Sequence, residues 1–110
     1  MHEVYEDCKH VYIVTDLVWG EELFALLKRG KCTELKAKKF IKDILMIVNL
    51  LHSLHIIHRD IKPENLLYDE ENESVWLVDF GLSYQFKDND ERLHVPCGSP
   101  GYVAPEVINA

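Results

Sequence analysis

A short polar segment, HRDIKPEN at 58–65, lies between two apolar runs and carries side chains suited to phosphate chemistry. Proteins usually hold Mg²⁺ through one or two carboxylates together with substrate phosphates, which Asp79 and the Asn65 amide could supply. Asp60 is then left to accept a hydroxyl proton, and Lys62 would place a positive charge beside a phosphoryl group. The residue types therefore predict a phosphotransferase site.

The elements on the N-terminal side of this segment can be predicted from apolar periodicity. Residues 2–18 are rich in β-branched and aromatic side chains around the polar break EDCK, which predicts two strands joined by a turn. GEELFALLKRG predicts a short helix, with acids in its first turn and Gly30 just beyond its end. From Thr33, a predicted N-cap, apolar residues recur at three-and-four spacing to residue 54, which predicts a long helix buried along one side.

Short strands are predicted on both sides of the polar segment. They cover 56–57, 66–68 and 75–78, and the last two bracket the acidic turn DEENE. Residues 82–103 show no sustained periodicity, which is typical of a functional loop inside a compact domain. The candidate side chains thus lie between short strands, where they can converge on a small volume.

Composition narrows the class of protein. The 110 residues are 47% hydrophobic and 28% charged with a net charge of -7, which favours a folded domain and argues against nucleic-acid binding. The basic residues at 28–39 are interpreted as a solvated helix face. Cys8, Cys32 and Cys97 fit neither a zinc pattern nor a disulfide framework, so a cytoplasmic location is expected, with the nucleus left open. Neither a signal peptide nor a membrane span is expected.

Three motifs give the chain a family resemblance. HRDIKPEN is similar to the catalytic loop of protein kinases, DFG at 79–81 to their metal motif, and APE at 104–106 to the anchor of their activation segment, in the family's order. KPEN and CGSPGYVAPE resemble serine/threonine kinases, and GEELF with DFGLS resembles the calcium/calmodulin-dependent group. The Gly-rich loop, the strand lysine and its glutamate partner do not occur in the sequence, so we expect the central part of a catalytic domain.

The resemblance implies a partial α+β kinase fold. Residues 1–18 would form the last small-lobe strands and the hinge, and residues 19–110 the start of the large lobe with its long helix, catalytic loop and activation segment. It also implies ATP and Mg²⁺ as cofactors, Asp60 as catalytic base, Lys62 at the γ-phosphate, and Asn65 and Asp79 as magnesium ligands. His58 is expected to pack near the metal motif rather than to do chemistry.

The adenine pocket is assigned by resemblance as well. TDLV at 15–18 would be the hinge, with Thr15 as gatekeeper and Asp16 and Val18 offering backbone hydrogen bonds to adenine. Glu22 would lie near the ribose and Leu67 beneath the base. Simpler interpretations stay open: Thr15 and Val18 as strand residues, Leu67 as core, and Glu22 as an acid placed for the helix dipole.

Substrate choice and activation also follow from the resemblance. Glu22 and Glu64 would face basic residues upstream of the phosphoacceptor, and Ser99 with Lys62 implies serine or threonine as the acceptor in a protein substrate. Arg59 would pair with a phosphate on the activation segment, yet Val95 occupies the usual acceptor position. We therefore expect a segment that is ordered without phosphate, rather than one in which Ser83, Tyr84 or Ser99 is phosphorylated instead.

Three functions compete at this point. The first is ATP-dependent phosphorylation of serine or threonine in proteins, as part of an intact kinase domain. The second is a truncated, inactive kinase-like chain that acts as a binding module or decoy, and the third is a small-molecule phosphotransferase, which GSPGYVAPE disfavours because it resembles a peptide-docking loop. A calmodulin-type regulator fits the group, but no segment of the sequence identifies one.

Overall fold

The computed structural model describes residues 1–109 and begins with a separate antiparallel hairpin. Strands β1 (Glu3–Glu6) and β2 (Val11–Val14) pair with Glu3 opposite Val14. The turn is held by Asp7, whose Oδ1 accepts the backbone N–H groups of Lys9 and His10 at 2.7 and 2.8 Å. The predicted pair of strands is confirmed.

A three-stranded sheet follows, and it corrects one detail of the sequence prediction. Glu21 and Glu22 were predicted in the first turn of a helix, but they form strand β3 (Glu21–Glu22), and helix α1 (Leu23–Lys28) begins only after them. In this sheet β3 pairs with β5 (Leu66–Asp69), which pairs with β6 (Ser74–Leu77). The physical reason is Gly20, where a Cβ atom would lie 2.6 Å from the Tyr68 carbonyl oxygen. This close approach lets the chain pair with β5 before it turns into the helix.

The long helix α2 (Glu34–Ser53) begins where the sequence predicted. Thr33 is its N-cap, and the threonine side chain accepts the Lys36 backbone N–H at 3.2 Å. The predicted burial along one side is partial within the described residues: Phe40 is buried, and its half-buried apolar neighbours on that side are Ala37, Ile44, Ile47, Val48 and Leu51. Ile41 and Leu45 are 56% and 61% exposed.

The hydrophobic core lies between the two helices and the β3–β5–β6 sheet. The Phe40 ring meets the Tyr68 ring edge-on, with centroids 4.9 Å apart. At the solvent edge Lys39 donates to Glu73 Oε2 at 2.6 Å, which ties α2 to the turn between β5 and β6. The buried apolar residues are Leu23, Leu26, Phe40, Leu66, Tyr68 and Val75. This core fixes the base of the loop that carries Asp60.

One strand of a short pair directly precedes the polar segment, and a 3-10 helix forms the end of that segment. Strand β4 (Ile56–Ile57) pairs with β7 (Tyr84–Gln85), and a 3-10 helix covers Pro63–Asn65. Strand β7 lies inside the region predicted to be a loop, and the pattern missed it because two residues carry no periodicity. The last element, α3 (Pro105–Ile108), was not predicted. The α+β fold class is confirmed, and no helix within residues 1–109 combines the length and apolar character needed to cross a membrane.

Candidate active site

Four polar side chains converge where β4 ends and the 3-10 helix begins. Asp60 Oδ1 accepts the Ser99 hydroxyl at 2.6 Å, while Asp60 Oδ2 lies 3.0 Å from both Asn65 Nδ2 and Lys62 Nζ. Lys62 Nζ also donates to Ser99 Oγ at 2.6 Å. The structure therefore brings together three of the residues predicted from the polar segment and joins them to Ser99, which is distant in sequence.

The contacts fix the charge of this cluster. The pKa of Asp60 is lowered from its ordinary value, mainly by the hydrogen bond from Ser99 and further by Lys62, although burial opposes the shift. The pKa of Lys62 is raised, mainly by its hydrogen bond to Asp60 and also by the charges of Asp60, Glu64 and Asp79. At neutral pH Asp60 is a carboxylate that can accept a proton, and Lys62 is a cation.

Asn65 and Asp79 are neighbours through the backbone, because the Val78 N–H donates to the Asn65 carbonyl oxygen at 2.9 Å. Asn65 is buried, and its amide nitrogen donates to the backbone oxygen and to Oδ2 of Asp60 at 2.9 and 3.0 Å. These bonds use the nitrogen, so the side-chain oxygen of Asn65 is available as a ligand. Asp79 is exposed, and its Oδ1 accepts the Gly81 N–H at 3.1 Å.

This donor set fits Mg²⁺. One amide oxygen and one carboxylate are hard ligands, and Mg²⁺ completes its shell with water and substrate phosphates. Within residues 1–109 no group of three His, Cys, Asp or Glu side chains is placed to hold a metal ion. A metal that depends on ligands from a phosphate substrate is consistent with that arrangement.

His58 supports the loop, as predicted. It is buried, its Nε2 lies 3.1 Å from the Val78 carbonyl oxygen, and its Nδ1 accepts the Asp60 backbone N–H at 3.2 Å. Its ring also meets the Phe80 ring edge-on at 4.9 Å between centroids. His58 thus connects the loop that carries Asp60 to the strand that leads to Asp79.

Three backbone features of the site were missed by sequence reasoning. Arg59 and Asp79 adopt φ values of 67° and 61°, which are rare for residues other than glycine and are often found at functional sites. Gly98 has φ 122°, and a Cβ there would lie 3.1 Å from the Arg59 carbonyl oxygen. Gly98 therefore lets the chain pass close enough for Ser99 to reach Asp60. The only sequence signal was a glycine directly before that serine.

The predicted hinge residues lie apart from this cluster. Thr15 and Asp16 are exposed and lie just after β2. Thr15 Oγ1 donates to the Asp16 carbonyl oxygen at 3.2 Å. Asp16 Oδ1 lies 2.7 Å from Nε2 of His2, the residue before β1. The His2 contact lowers the pKa of Asp16. The Val18 carbonyl accepts the Gly20 N–H at 3.1 Å.

Glu22 and Leu67 are brought together, because they are directly opposite each other in the β3–β5 pair. Glu22 precedes α1 but forms no side-chain cap hydrogen bond. Its position directly before α1 leaves the dipole interpretation of Glu22 open. Its neighbour Glu21 accepts a hydrogen bond from Arg29, which ties β3 to the end of α1.

Glu64 differs from Glu22 in its surroundings. Its Oε2 is buried and has no hydrogen-bond partner among the described residues. A buried polar atom without a hydrogen-bond partner costs free energy. One oxygen of the Glu64 carboxylate is therefore shielded from solvent, whereas Glu22 is exposed.

A cavity of about 440 Å³ opens next to Asp60 and Ser99. Much of its wall is apolar and comes from the chain between residues 93 and 107, including Leu93, Val103 and Val107. Its volume is within the range of small ligand sites. The cavity therefore offers an apolar surface next to Asp60.

A carboxylate able to accept a proton, a cation beside it and a magnesium-type donor pair define a site of the phosphotransferase class. Comparison with known proteins agrees with that class. The family model of the protein kinase domain matches residues 1–110. The chain is 47% identical over 112 residues to CBL-interacting protein kinases 15 and 14 of Oryza sativa subsp. japonica, covering 99% of this chain but 26% and 25% of those proteins.

A probable myosin light chain kinase of Dictyostelium discoideum is also 47% identical, over 98% of this chain and 35% of that protein. The chain belongs to the protein kinase domain family. The resemblance to the calcium/calmodulin-dependent kinase group is confirmed as well. The chain spans between a quarter and about a third of the length of these relatives.

Proposed function

We propose that the chain carries the catalytic loop of an enzyme that transfers the γ-phosphoryl group of ATP to serine or threonine of protein substrates. The observation that carries the proposal is the hydrogen-bonded cluster of Asp60, Lys62, Asn65 and Ser99. Membership in the protein kinase domain family supports it. Because the chain covers only part of its relatives, the activity is proposed for the full-length protein.

The proposed roles follow from the charges and contacts. Asp60 accepts the proton of the substrate hydroxyl. At the same time the hydroxyl oxygen forms a bond to the γ-phosphorus, and the bond between that phosphorus and the leaving ADP oxygen breaks. Lys62 lies beside the transferring group and offsets negative charge on its oxygens. Asn65 and Asp79 would hold Mg²⁺. When bound, ATP and Mg²⁺ supply the phosphoryl group and the charge that neutralises it.

The adenine side of the proposal uses other residues. Asp16 and Val18 would offer backbone hydrogen bonds to the base, with Thr15 behind it, Leu67 beneath it and Glu22 near the ribose. The pairing of Glu22 with Leu67 supports this arrangement, because the two residues lie directly opposite each other on adjacent strands. Thr15 and Asp16 contribute to the proposal through the resemblance alone.

For the acceptor, Ser99 and Lys62 favour serine or threonine, and Glu22 and Glu64 favour a substrate with basic residues upstream. The negative charge of Glu64 supports this preference, since the cation of an arginine or lysine would pair with it. A regulatory protein partner is part of the proposal too. The name of the CBL-interacting relatives and the resemblance to calmodulin-dependent kinases both suggest one.

The test uses the full-length protein, purified with its natural sequence and assayed with Mg²⁺ and ATP on a serine/threonine peptide array. We expect phosphorylation of peptides with arginine or lysine upstream of the acceptor, and loss of that signal in Asp79→Asn. A Glu64→Gln variant should lose the basic preference while still phosphorylating neutral peptides. A preference for acidic or proline-directed peptides would contradict the substrate assignment. Absence of Asp79-dependent transfer would favour the binding-module alternative.

A further inference from the structure

The side chain of the arginine before Asp60 makes two contacts with the activation segment. Arg59 Nε donates to the Leu82 carbonyl oxygen at 2.6 Å, and its guanidinium carbon lies 5.4 Å from the centre of the Tyr84 ring. A guanidinium over an aromatic face is attracted by the ring's negative electrostatic face. Both contacts come from the first residues after the DFG motif.

Tyr84 is itself fixed by a carboxylate further along the segment. Its hydroxyl donates to Glu91 Oε1 at 2.6 Å, and Glu91 Oε2 accepts the Lys87 backbone N–H at 2.7 Å. The hydrogen bond from Tyr84 lowers the pKa of Glu91, and the same bond raises the pKa of Tyr84. The phenol is therefore protonated and the carboxylate ionised at neutral pH, so the hydrogen bond keeps its donor and its acceptor.

The same tyrosine also belongs to the sheet beside the catalytic loop. Tyr84 in β7 is directly opposite Ile57 in β4, and the Phe86 N–H donates to the His55 carbonyl oxygen at 2.9 Å. Ile57 is followed by His58, Arg59 and Asp60. Tyr84 thus contacts the catalytic loop through the backbone pair at its start and through the side chain of Arg59.

Holding Arg59 matters because its backbone is strained. Its φ of 67° persists only when the surroundings stabilise it. If the guanidinium were released, relaxation of Arg59 would move the next residue, Asp60, away from Ser99 and Lys62. The segment has no hydroxyl at Val95, which is 73% exposed, so a phosphate at that position cannot supply the restraint.

We propose that Tyr84 and Glu91 are positioning residues: Glu91 fixes Tyr84, and Tyr84 fixes Arg59, so that Asp60 is held in its catalytic position without phosphorylation of the activation segment. This inference rests on the proposed function, because it assigns a role in the same site. Glu91 provides internally the negative charge that orders the segment.

Matched variants of the full-length protein test it. Tyr84→Phe keeps the ring over Arg59 but removes the bond to Glu91, and Glu91→Gln removes the charge. Each should lower kcat about fivefold, with less than about a twofold change in KM for ATP. The kcat of the double variant should be no lower than that of either single variant, because both changes weaken the same hydrogen bond between Tyr84 and Glu91. Tyr12→Phe is the control, since it removes a tyrosine–aspartate bond in the β1–β2 hairpin and should leave kcat unchanged.

Wild-type kcat in Tyr84→Phe and Glu91→Gln would overturn the proposal, and so would losses that multiply in the double variant. Hydrogen exchange gives a readout that does not need activity. The Lys87 amide should exchange faster in both variants and at the wild-type rate in Tyr12→Phe, and unchanged exchange would also overturn the proposal. If the wild-type protein transfers no phosphate, the proposed function fails, while the exchange rates still decide whether Glu91 orders the segment.

Discussion

The catalytic-loop cluster and the β1–β2 hairpin are assembled in different ways. In the cluster, the side chain of Asp60 is 9% exposed and bonds to three other side chains. In the hairpin every residue of both strands is exposed, and the apolar side chains of Tyr5 and Ile13 are 57% and 60% exposed. The groups that would act on the phosphoryl group are therefore preorganised by contacts within the chain, whereas the hairpin leaves its apolar side chains exposed to solvent.

The largest effect is expected when the chain is expressed alone, with the apolar side chains of the hairpin exposed. Residues 1–110 expressed alone should show no measurable ATP turnover and should self-associate, because large apolar side chains on the hairpin and on α2 face solvent. Examples are Val4, Val11, Ile41, Leu45 and Leu50. Size-exclusion chromatography and an ATP hydrolysis assay check this. The prediction would be contradicted by a chain that is folded and monomeric and whose ATP turnover is lost in Asp79→Asn. The exposed hairpin would then need no contacts with other parts of the protein.

The next prediction compares one carboxylate from each region in the full-length protein. Asp60→Asn removes the proton acceptor, so kcat should fall about 10²- to 10⁴-fold. Asp16→Asn, its matched control just after β2, changes an exposed side chain and should alter kcat less than about twofold. Steady-state kinetics with a peptide substrate measure both. An equal fall in kcat in the two variants would mean that the catalytic-loop cluster and the hairpin do not differ in their contribution to catalysis.

A third prediction separates nucleotide binding from chemistry. Gly20→Ala places a methyl group against the Tyr68 backbone oxygen, so the chain next to the predicted hinge must shift. Displacement of the predicted adenine residues should raise KM for ATP about tenfold and leave kcat nearly unchanged. Leu17→Ala, at a neighbouring residue that is 71% exposed, is the control and should behave like the wild type. A fall in kcat without a change in KM would mean that the hinge positions Asp60.

The smallest expected effect concerns pH. The Ser99 hydrogen bond is the main cause that lowers the Asp60 pKa, so Ser99→Ala should raise that pKa towards its ordinary value of 3.8. Because the folded-state pKa is depressed, the stabilising contribution of ionised Asp60 is fully present above 3.8 and is lost as the pH falls through the folded value. In the proposed reaction Asp60 must be ionised to accept a proton, so its pKa sets the acid limb of kcat/KM. That limb should move to higher pH in Ser99→Ala. An unmoved limb would assign it to another group.

Features set by neighbouring residues could be predicted from the sequence. Thr33 caps α2 through a residue three positions later, and Asp60, Lys62 and Asn65 lie on one short loop whose convergence follows from its length. His58 was also placed correctly. These predictions succeeded because helix caps and short loops are determined by local chemistry.

Features that depend on distant partners could not be predicted. Glu21 and Glu22 have the composition of a first helical turn, and only the close approach of Gly20 to Tyr68 turns them into a strand. Strand β7 exists because Tyr84 meets Ile57, and the role of Gly98 depends on the Arg59 carbonyl oxygen. Local propensity was overridden by pairing between parts of the chain that are far apart in sequence. The roles assigned to Thr15, Asp16 and Val18 stay predictions.

The fixed points of the activation segment determine where its length can change. Glu91 anchors the segment to Tyr84, and Gly98 with Ser99 anchors it again at Asp60. The chain between Glu91 and Gly98 includes exposed residues such as His94 and Val95. Doubling a flexible loop adds only about 0.6 kcal/mol of closure cost. Insertions between Glu91 and Gly98 should therefore be tolerated, so evolution could add a new regulatory sequence there without disturbing either anchor.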